Sequence, residues 1–138
     1  MTFKIFGKVN FTPYTKVEKF ADALREDKLM GTRCKECEEI YFPPRADCSK
    51  CMSSDMEWRE YSGKGKLATF TTIHAAPTGF EDMVPYTIGV LDLKEGGRLL
   101  AWVDNIPQEE LKIGMELKAV PQIMEEIEEL RVVYVLRK

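Results

Sequence analysis

Two pairs of cysteines carry the clearest chemistry in this sequence. Cys34 and Cys37 form one C-x-x-C pair, Cys48 and Cys51 form a second, and they are the chain's 4 cysteines. Two tight turns of this kind bring four thiolates to the corners of a tetrahedron around one ion. The spacing therefore predicts a single metal site per chain.

The predicted metal is a structural zinc ion. Structural disulfides are rare in the cytoplasm, and a thioredoxin-type redox centre uses one C-x-x-C at the start of a helix. A rubredoxin-type iron site usually has glycine after the second cysteine of each pair, where this chain has Glu38 and Met52. Four protein ligands close the coordination shell, so the ion is expected to stabilise the fold without taking part in catalysis.

Other motifs give little support for catalysis. His74 is the only histidine and ends a predicted strand without a serine or cysteine nucleophile signature nearby, so we expect a structural role for it. The glycines near residues 63–65 and 96–97 match no phosphate-binding loop. The chain is therefore predicted not to be an enzyme.

Arg45, Trp58 and Tyr61 are candidate contacts for a partner or ligand. Arg45 follows two prolines beside the second cysteine pair, where it either binds a phosphate or carboxylate or packs on Trp58 or Tyr41. Trp58 and Tyr61 stand between the two predicted domains. They either pack those domains together or form a surface on which nucleic-acid bases stack.

The elements that position these residues predict a mostly β protein. A Thr15 to Glu18 capping box is expected to begin a helix that fades near Lys28 and is closed by Gly31. Residues 32–60 have few long apolar side chains, so the metal must replace a core there. Five strands with a short helical turn between the third and fourth follow, which is the order of an OB barrel. The predicted strands are 66–74, 86–93, 98–104, 116–124 and 130–137.

Three parts are predicted along the chain. Residues 1–31 form an N-terminal segment and helix, 32–61 a rubredoxin-like zinc ribbon, and 62–138 a five-stranded OB fold. Phe3, Phe6, Phe11 and Tyr14 precede the helix without a periodic pattern, so we expect that segment either to join a protein interface or to pack on the ribbon. The acidic run at 125–129 is expected to be a solvated loop.

Composition indicates a globular, cytoplasmic protein. The 138 residues are 44% hydrophobic and 31% charged, and 20 basic against 23 acidic side chains give a net charge of −3. No stretch is apolar enough for a membrane span, and the N-terminus lacks the apolar core of a signal peptide. The acidic balance disfavours anionic membranes and nucleic acid unless basic residues cluster locally.

The order of these motifs resembles a known family. The two C-x-x-C pairs flank Phe42-Pro43-Pro44-Arg45, and Trp58, Ser62-Gly63-Lys64-Gly65, Pro85-Tyr86 and Ile113-Gly114-Met115 follow. Over roughly residues 15–137 the chain resembles the acyl-CoA-associated family of rubredoxin-like zinc ribbons fused to an OB fold.

The resemblance implies a non-catalytic subunit that binds thiolase-type enzymes of acyl-CoA metabolism. In archaea such proteins bridge acetoacetyl-CoA thiolase and hydroxymethylglutaryl-CoA synthase in isoprenoid biosynthesis, with CoA or acyl-CoA as a further candidate at the shared interface. By position, Cys34, Cys37, Cys48 and Cys51 correspond to the family's metal ligands. The competing prediction is a nucleic-acid-binding module built from a zinc ribbon and an OB barrel.

Overall fold

A computed structural model describes residues 14–124 and 131–138 of the chain. Structural statements below concern these residues. The predicted interface role of Phe3, Phe6 and Phe11 and the predicted loop at 125–129 lie outside them.

The predicted N-terminal helix is present but shorter than expected. Helix α1 spans Lys19–Arg25 and buries Phe20, Ala23 and Leu24. The capping box did not form: the Thr15 hydroxyl accepts only a 3.4 Å bond from the Val17 amide, and the residues before α1 make i to i−3 turns. The prediction of a start at Thr15 was therefore wrong by about one turn. No helix in the described ranges is long and apolar enough to cross a membrane.

Gly31 does not end the helix. The helix stops at Arg25 because Asp27 adopts a left-handed φ of 62° and the Lys28 amide donates to the Ala23 carbonyl at 2.9 Å. Gly31 lies instead inside the first strand, where a Cβ atom would sit 2.4 Å from the Tyr41 carbonyl oxygen. A glycine is needed there for close packing.

Replacing Gly31 with alanine is expected to destabilise the chain by roughly 1–3 kcal/mol, because an added methyl in a filled site forces its neighbours to shift. The new Cβ would also lie 2.5 Å from Cε2 of the Tyr61 ring. Chemical denaturation of the zinc-loaded protein measures the change. Gly114→Ala is not a neutral reference. Nothing lies within 4 Å of its added Cβ, but Gly114 has a φ of 88°, a conformation that strains a residue with a side chain. Equal stability of the Gly31→Ala and wild-type proteins would contradict the packing argument.

The ribbon is a three-stranded antiparallel sheet. Its strands are β1 (Leu29–Cys34), β2 (Ile40–Tyr41) and β3 (Met56–Tyr61), in the order β2-β1-β3. Cys34 ends β1 opposite Met56, so the sheet brings the first cysteine turn to one end of the ribbon.

The second half of the chain is the predicted five-stranded barrel. Its strands are β4 (Lys64–Ile73), β5 (Tyr86–Leu93), β6 (Arg98–Val103), β7 (Glu116–Met124) and β8 (Arg131–Arg137). They close in the order β4-β5-β6-β8-β7, with β6 and β8 parallel. A register shift at Leu67/Thr69 bends β4. The predicted helical turn is a 3-10 helix at Gln108–Glu110, between the third and fourth barrel strands.

One hydrophobic cluster joins helix, ribbon and barrel. Phe20 of α1 and Tyr134 of β8 both pack edge-on against Phe42, with ring centroids 5.8 and 5.6 Å away. Leu29 and Tyr61 of the ribbon belong to the same cluster as the inward barrel residues. The ribbon's apolar side therefore rests on the barrel, while its opposite end carries the cysteines.

Candidate metal centre and docking face

The four cysteines meet at one point. Their Sγ atoms all lie within 4.8 Å of one another. The closest pairs cross between the two turns, with 3.5 Å from Cys34 to Cys51 and from Cys37 to Cys48. Cys34 and Cys48 are buried, whereas Cys51 is exposed.

Both cysteine turns have the same backbone geometry. The Glu38 amide donates to the Cys34 carbonyl at 3.0 Å, and the Met52 amide donates to the Cys48 carbonyl at 3.0 Å. Glu38 and Met52 have left-handed φ angles of 66° and 65°, although that region favours glycine. The turns therefore keep their shape without the glycine typical of a rubredoxin-type site, and the Arg33 guanidinium holds Glu38 at 2.7 Å.

Tyr41 supports the second turn. Its hydroxyl accepts a 3.1 Å bond from the Ser49 amide and lies 3.3 Å from Cys48 Sγ. The hydrogen bond with Tyr41 lowers the pKa of the Cys48 thiol to about 6. At Cys48 this favours the thiolate form that a metal ion requires, whereas burial and the neighbouring thiols raise the pKa values of Cys37 and Cys51.

This geometry fits a four-thiolate zinc site. Zinc–sulfur bonds of about 2.3 Å in a tetrahedron place the sulfurs roughly 3.8 Å apart, close to the 3.5 Å of the crossing pairs. Four soft thiolates and no carboxylate in the cluster suit zinc. An ion held by all four thiolates would have no open position for a substrate, so its role would be structural.

Arg45 and Trp58 lie on the outside of the ribbon. The exposed Arg45 guanidinium stacks 5.3 Å from the Tyr41 ring centroid. This is the packing on Tyr41 that the sequence left open beside anion binding. Trp58 is half-buried, and Lys19 Nζ sits 5.7 Å from its ring. Both residues line a small groove of about 230 Å³. Their contact with a partner stays a prediction.

Tyr61 lies in the core. Its side chain is 4% exposed, and its ring packs 5.3 Å from that of Phe42. Burial raises the pKa of Tyr61, and its hydroxyl has no hydrogen-bond partner among the described residues. At 4% exposure this ring offers a partner almost no accessible surface. His74, by contrast, is exposed just after β4.

The outer face of β5 and β6 is apolar, which the sequence pattern had not led us to predict. Ile88 pairs with Trp102 and Val90 with Leu100, and Leu100 is 58% exposed. Phe80, from the loop between β4 and β5, packs 6.2 Å from the Trp102 ring. The sequence did contain a signal for this face. A strand with one solvated face alternates apolar and polar residues, whereas β5 and β6 carry apolar residues at successive positions. We call Phe80, Ile88, Val90, Leu100 and Trp102 the outer apolar face.

Two domain families match the chain in sequence. The ChsH2 rubredoxin-like zinc ribbon domain matches residues 21–57, and the ChsH2 C-terminal OB-fold domain matches residues 58–122. Together with the clustered cysteines, the ribbon match establishes a structural zinc as the cofactor.

Relatives and solved structures agree with these matches. A DUF35 domain-containing scaffold protein of Methanocaldococcus jannaschii is 41% identical over 67% of this chain and 66% of its own. One from Pyrococcus furiosus is 37% identical over 74% of each chain. The benzoylsuccinyl-CoA thiolase subunit BbsA of Thauera aromatica is 32% identical over 60% of this chain and 56% of its own.

A solved structure also resembles this fold. This structure, the Ltp2-ChsH2(DUF35) aldolase, superposes with a TM-score of 0.71 at 28% identity, covering 86% of this chain and 91% of that one. The family matches and the structure both place a zinc ribbon before an OB barrel. The chain belongs to the ChsH2/DUF35 family of zinc-ribbon and OB-fold proteins.

Proposed function

We propose that this chain is a non-catalytic scaffold subunit that binds a thiolase-type enzyme of acyl-CoA metabolism. Relatives in the family are named scaffold proteins and thiolase subunits. We also propose that Cys34, Cys37, Cys48 and Cys51 are the zinc ligands, and that the protein works in the cytoplasm, where these thiols stay reduced.

The outer apolar face is the observation that carries the proposal. OB folds commonly bind their ligands on the second and third strands of the barrel, which are β5 and β6 here. In this chain that surface presents aliphatic and aromatic side chains, with Leu100 58% exposed and the other four half-buried. Contiguous exposed apolar residues on a folded protein mark an interaction surface, and aromatic side chains with an aliphatic surround suit a protein partner.

A catalytic role is not supported by the described residues. A four-thiolate ion has no free coordination position. His74, the chain's only histidine, is exposed on a loop, so it lacks the enclosed site in which general acids and bases usually work. The solved Ltp2-ChsH2(DUF35) aldolase combines ChsH2 with Ltp2, so the aldolase name belongs to that assembly.

In its most specific form the proposal assigns two partners. The chain would hold acetoacetyl-CoA thiolase beside hydroxymethylglutaryl-CoA synthase, with CoA at the shared interface, in isoprenoid biosynthesis. Condensation of two acetyl-CoA molecules is unfavourable, so its product must be consumed quickly. A tether would raise the local concentration of that intermediate to about the millimolar range.

The nucleic-acid alternative has less support. Base stacking requires aromatic rings beside a basic groove. Lysines from β4, from β7 and from the turn after β5 line a groove whose described lining contains no aromatic residue. Trp102 of the outer apolar face lies on β6, which contributes no residue to that lining. Basic and aromatic groups are therefore separated.

Size-exclusion chromatography of the zinc-loaded chain mixed with thiolase and synthase from its source tests the proposal. We expect one peak that contains all three proteins, and no turnover when the chain alone is given acetyl-CoA or acetoacetyl-CoA. Turnover by the chain alone would contradict the non-catalytic role. Separate elution of all three proteins at micromolar concentration would contradict the bridging role.

A further inference from the structure

A lysine-lined groove lies on the barrel away from the metal centre. It has a volume of about 780 Å³, within the range of small-molecule sites. Gly65, Leu93 and Leu117 form its floor, where both leucine side chains point into the barrel core at 6% and 3% exposure. Five lysines and two carboxylates form its polar lining: Lys64, Lys66, Lys94, Lys118, Lys138, Asp92 and Glu116. Such a surplus of positive charge is unexpected in a chain whose net charge is −3.

The strand register forces like charges together. Lys64 of β4 lies directly opposite Lys118 of β7, an arrangement that destabilises an antiparallel pair. The Lys94 amide donates to the Lys64 carbonyl at 2.9 Å, which brings a third lysine to the same end. The barrel therefore holds three ammonium-bearing side chains at one rim of the groove.

Four of the five lysines have no ion pair with any residue that the structure describes. Only Lys138 is paired, at 2.5 Å from Glu110. Lys66 faces Asp92 and Glu116 across the strands without an ion pair to either. Lys64, Lys94 and Lys118 are exposed and equally unpaired within the described ranges.

Nearby carboxylates are held by other groups. Glu95 follows Lys94 in sequence, yet its carboxylate accepts 2.6 and 3.1 Å bonds from the Ser62 amide and hydroxyl. Asp92 is engaged by the Arg98 guanidinium at 2.5 Å. Glu116 is then the one carboxylate of the lining without such a partner among the described residues, so four unpaired lysines face a single unengaged carboxylate.

We propose that this groove binds a small molecule carrying a diphosphate group. Several ammonium groups that converge at the rim of one groove match an anion with more than one charge, and lysine binds phosphate as a point charge. The lining includes no aromatic residue for base stacking, which favours a small ligand over a nucleic-acid strand. The proposal does not rest on the scaffold function.

The test uses inorganic pyrophosphate and ADP as probes, with the zinc-loaded full chain in about 20 mM salt, where electrostatic binding is weakly screened. Titration followed by amide NMR should shift the Gly65 and Lys94 signals. A Lys64→Gln/Lys118→Gln double variant should weaken both probes by about tenfold. Lys28→Gln/Lys35→Gln makes the same change in net charge outside the groove and should bind within about twofold of wild type.

Stability gives a readout independent of the ligand. Because Lys64 and Lys118 repel each other, the Lys118→Gln variant should melt no lower than wild type when no ligand is present. Added pyrophosphate should raise the melting temperature of wild type more than that of the double variant. Tighter binding of ADP than of pyrophosphate would identify a nucleotide-like ligand, and equal binding would identify the diphosphate alone as the determinant.

Three results would overturn the proposal. The first is no shift with either probe at 5 mM, and the second is equal affinity of the double variant and its control. The third is binding only to oligothymidylate, with affinity that rises with strand length, because the groove would then serve a nucleic acid. The probes are added to the chain alone, so a failure here leaves the scaffold test unaffected.

Discussion

Replacing Cys34 or Cys51 with serine is expected to remove the zinc and unfold the ribbon. Structural zinc in small ribbons contributes on the order of 10 kcal/mol of folding free energy. That amount exceeds what the short ribbon sheet can supply by itself. The barrel has its own inward residues, so we expect its strands to remain paired while the ribbon amides lose protection from hydrogen exchange.

Comparing the two cysteines separates metal binding from packing. Cys34 is 0% exposed, whereas Cys51 is exposed. Loss of a buried side chain would make Cys34→Ser much more damaging than Cys51→Ser, because burial governs packing losses. Loss of a ligand makes both equally damaging. We therefore expect nearly equal losses of bound zinc, of melting temperature and of ribbon protection.

Lys35→Ser is the matched control. It introduces the same residue in the same turn, where Lys35 makes only an exposed 3.6 Å ion pair with Asp55, so its cost should stay within about 1 kcal/mol. Mass spectrometry under native conditions counts the zinc, and hydrogen exchange maps the unfolding. One zinc retained per chain in Cys34→Ser, with an unchanged melting curve, would show that these cysteines are not its ligands.

The features that could be predicted from the sequence depend on local spacing. The C-x-x-C pairs bring their own turn geometry, so their meeting at one point needed little knowledge of the rest of the fold. The five barrel strands were recognised in the right order because each carries β-forming residues bounded by turn signals. The first strand, predicted from residue 66, begins at Lys64, since strand ends depend on the partner strand.

The missed features depend on contacts between distant segments. Gly31 looked like a helix terminator, but its role comes from the Tyr41 carbonyl and the Tyr61 ring, which pack against it. Likewise, Thr15 had the residue type of a helix cap, yet its turn placed the hydroxyl near Val17. Tertiary packing decided the outcome at Gly31, whereas at Thr15 the local turn did.

The lysine groove illustrates the same limit. Its lysines come from β4, the turn after β5, strand β7 and the chain's last residue. Only Lys64 and Lys66 are near each other in sequence, which is too few for a basic motif. The net charge of −3 also disfavoured an anion-binding surface. Only the barrel closure, in which β7 pairs with the start of β4, reveals the cluster.

Leu100→Asp is expected to abolish binding of the thiolase-type partner while leaving the chain folded. Leu100 is 58% exposed on the outer apolar face, opposite Val90 and beside Trp102. Burying a carboxylate there without a partner charge would cost on the order of 2–4 kcal/mol of binding, or roughly a 30- to 1000-fold weaker complex. Because the side chain is exposed in the free chain, the melting temperature should change little.

Ile113→Asp is the control for this surface. Ile113 is 63% exposed, and it lies before β7, outside the outer apolar face. The same change of an exposed aliphatic residue to aspartate should leave partner affinity within about twofold. Affinity for the immobilised partner is measured for both variants by surface plasmon resonance, with zinc content and melting curves checked first.

The oligomeric state of the chain alone distinguishes a partner surface from a self-association surface. If the outer apolar face joined two copies of this chain, Leu100→Asp would convert a wild-type dimer to a monomer without affecting the partner site. We expect instead that wild type and variant have the same mass by light scattering and differ only in binding the enzyme. Equal partner affinity of Leu100→Asp and Ile113→Asp would rule out this face as the docking surface, and the ribbon groove around Arg45 and Trp58 would become the next surface to test.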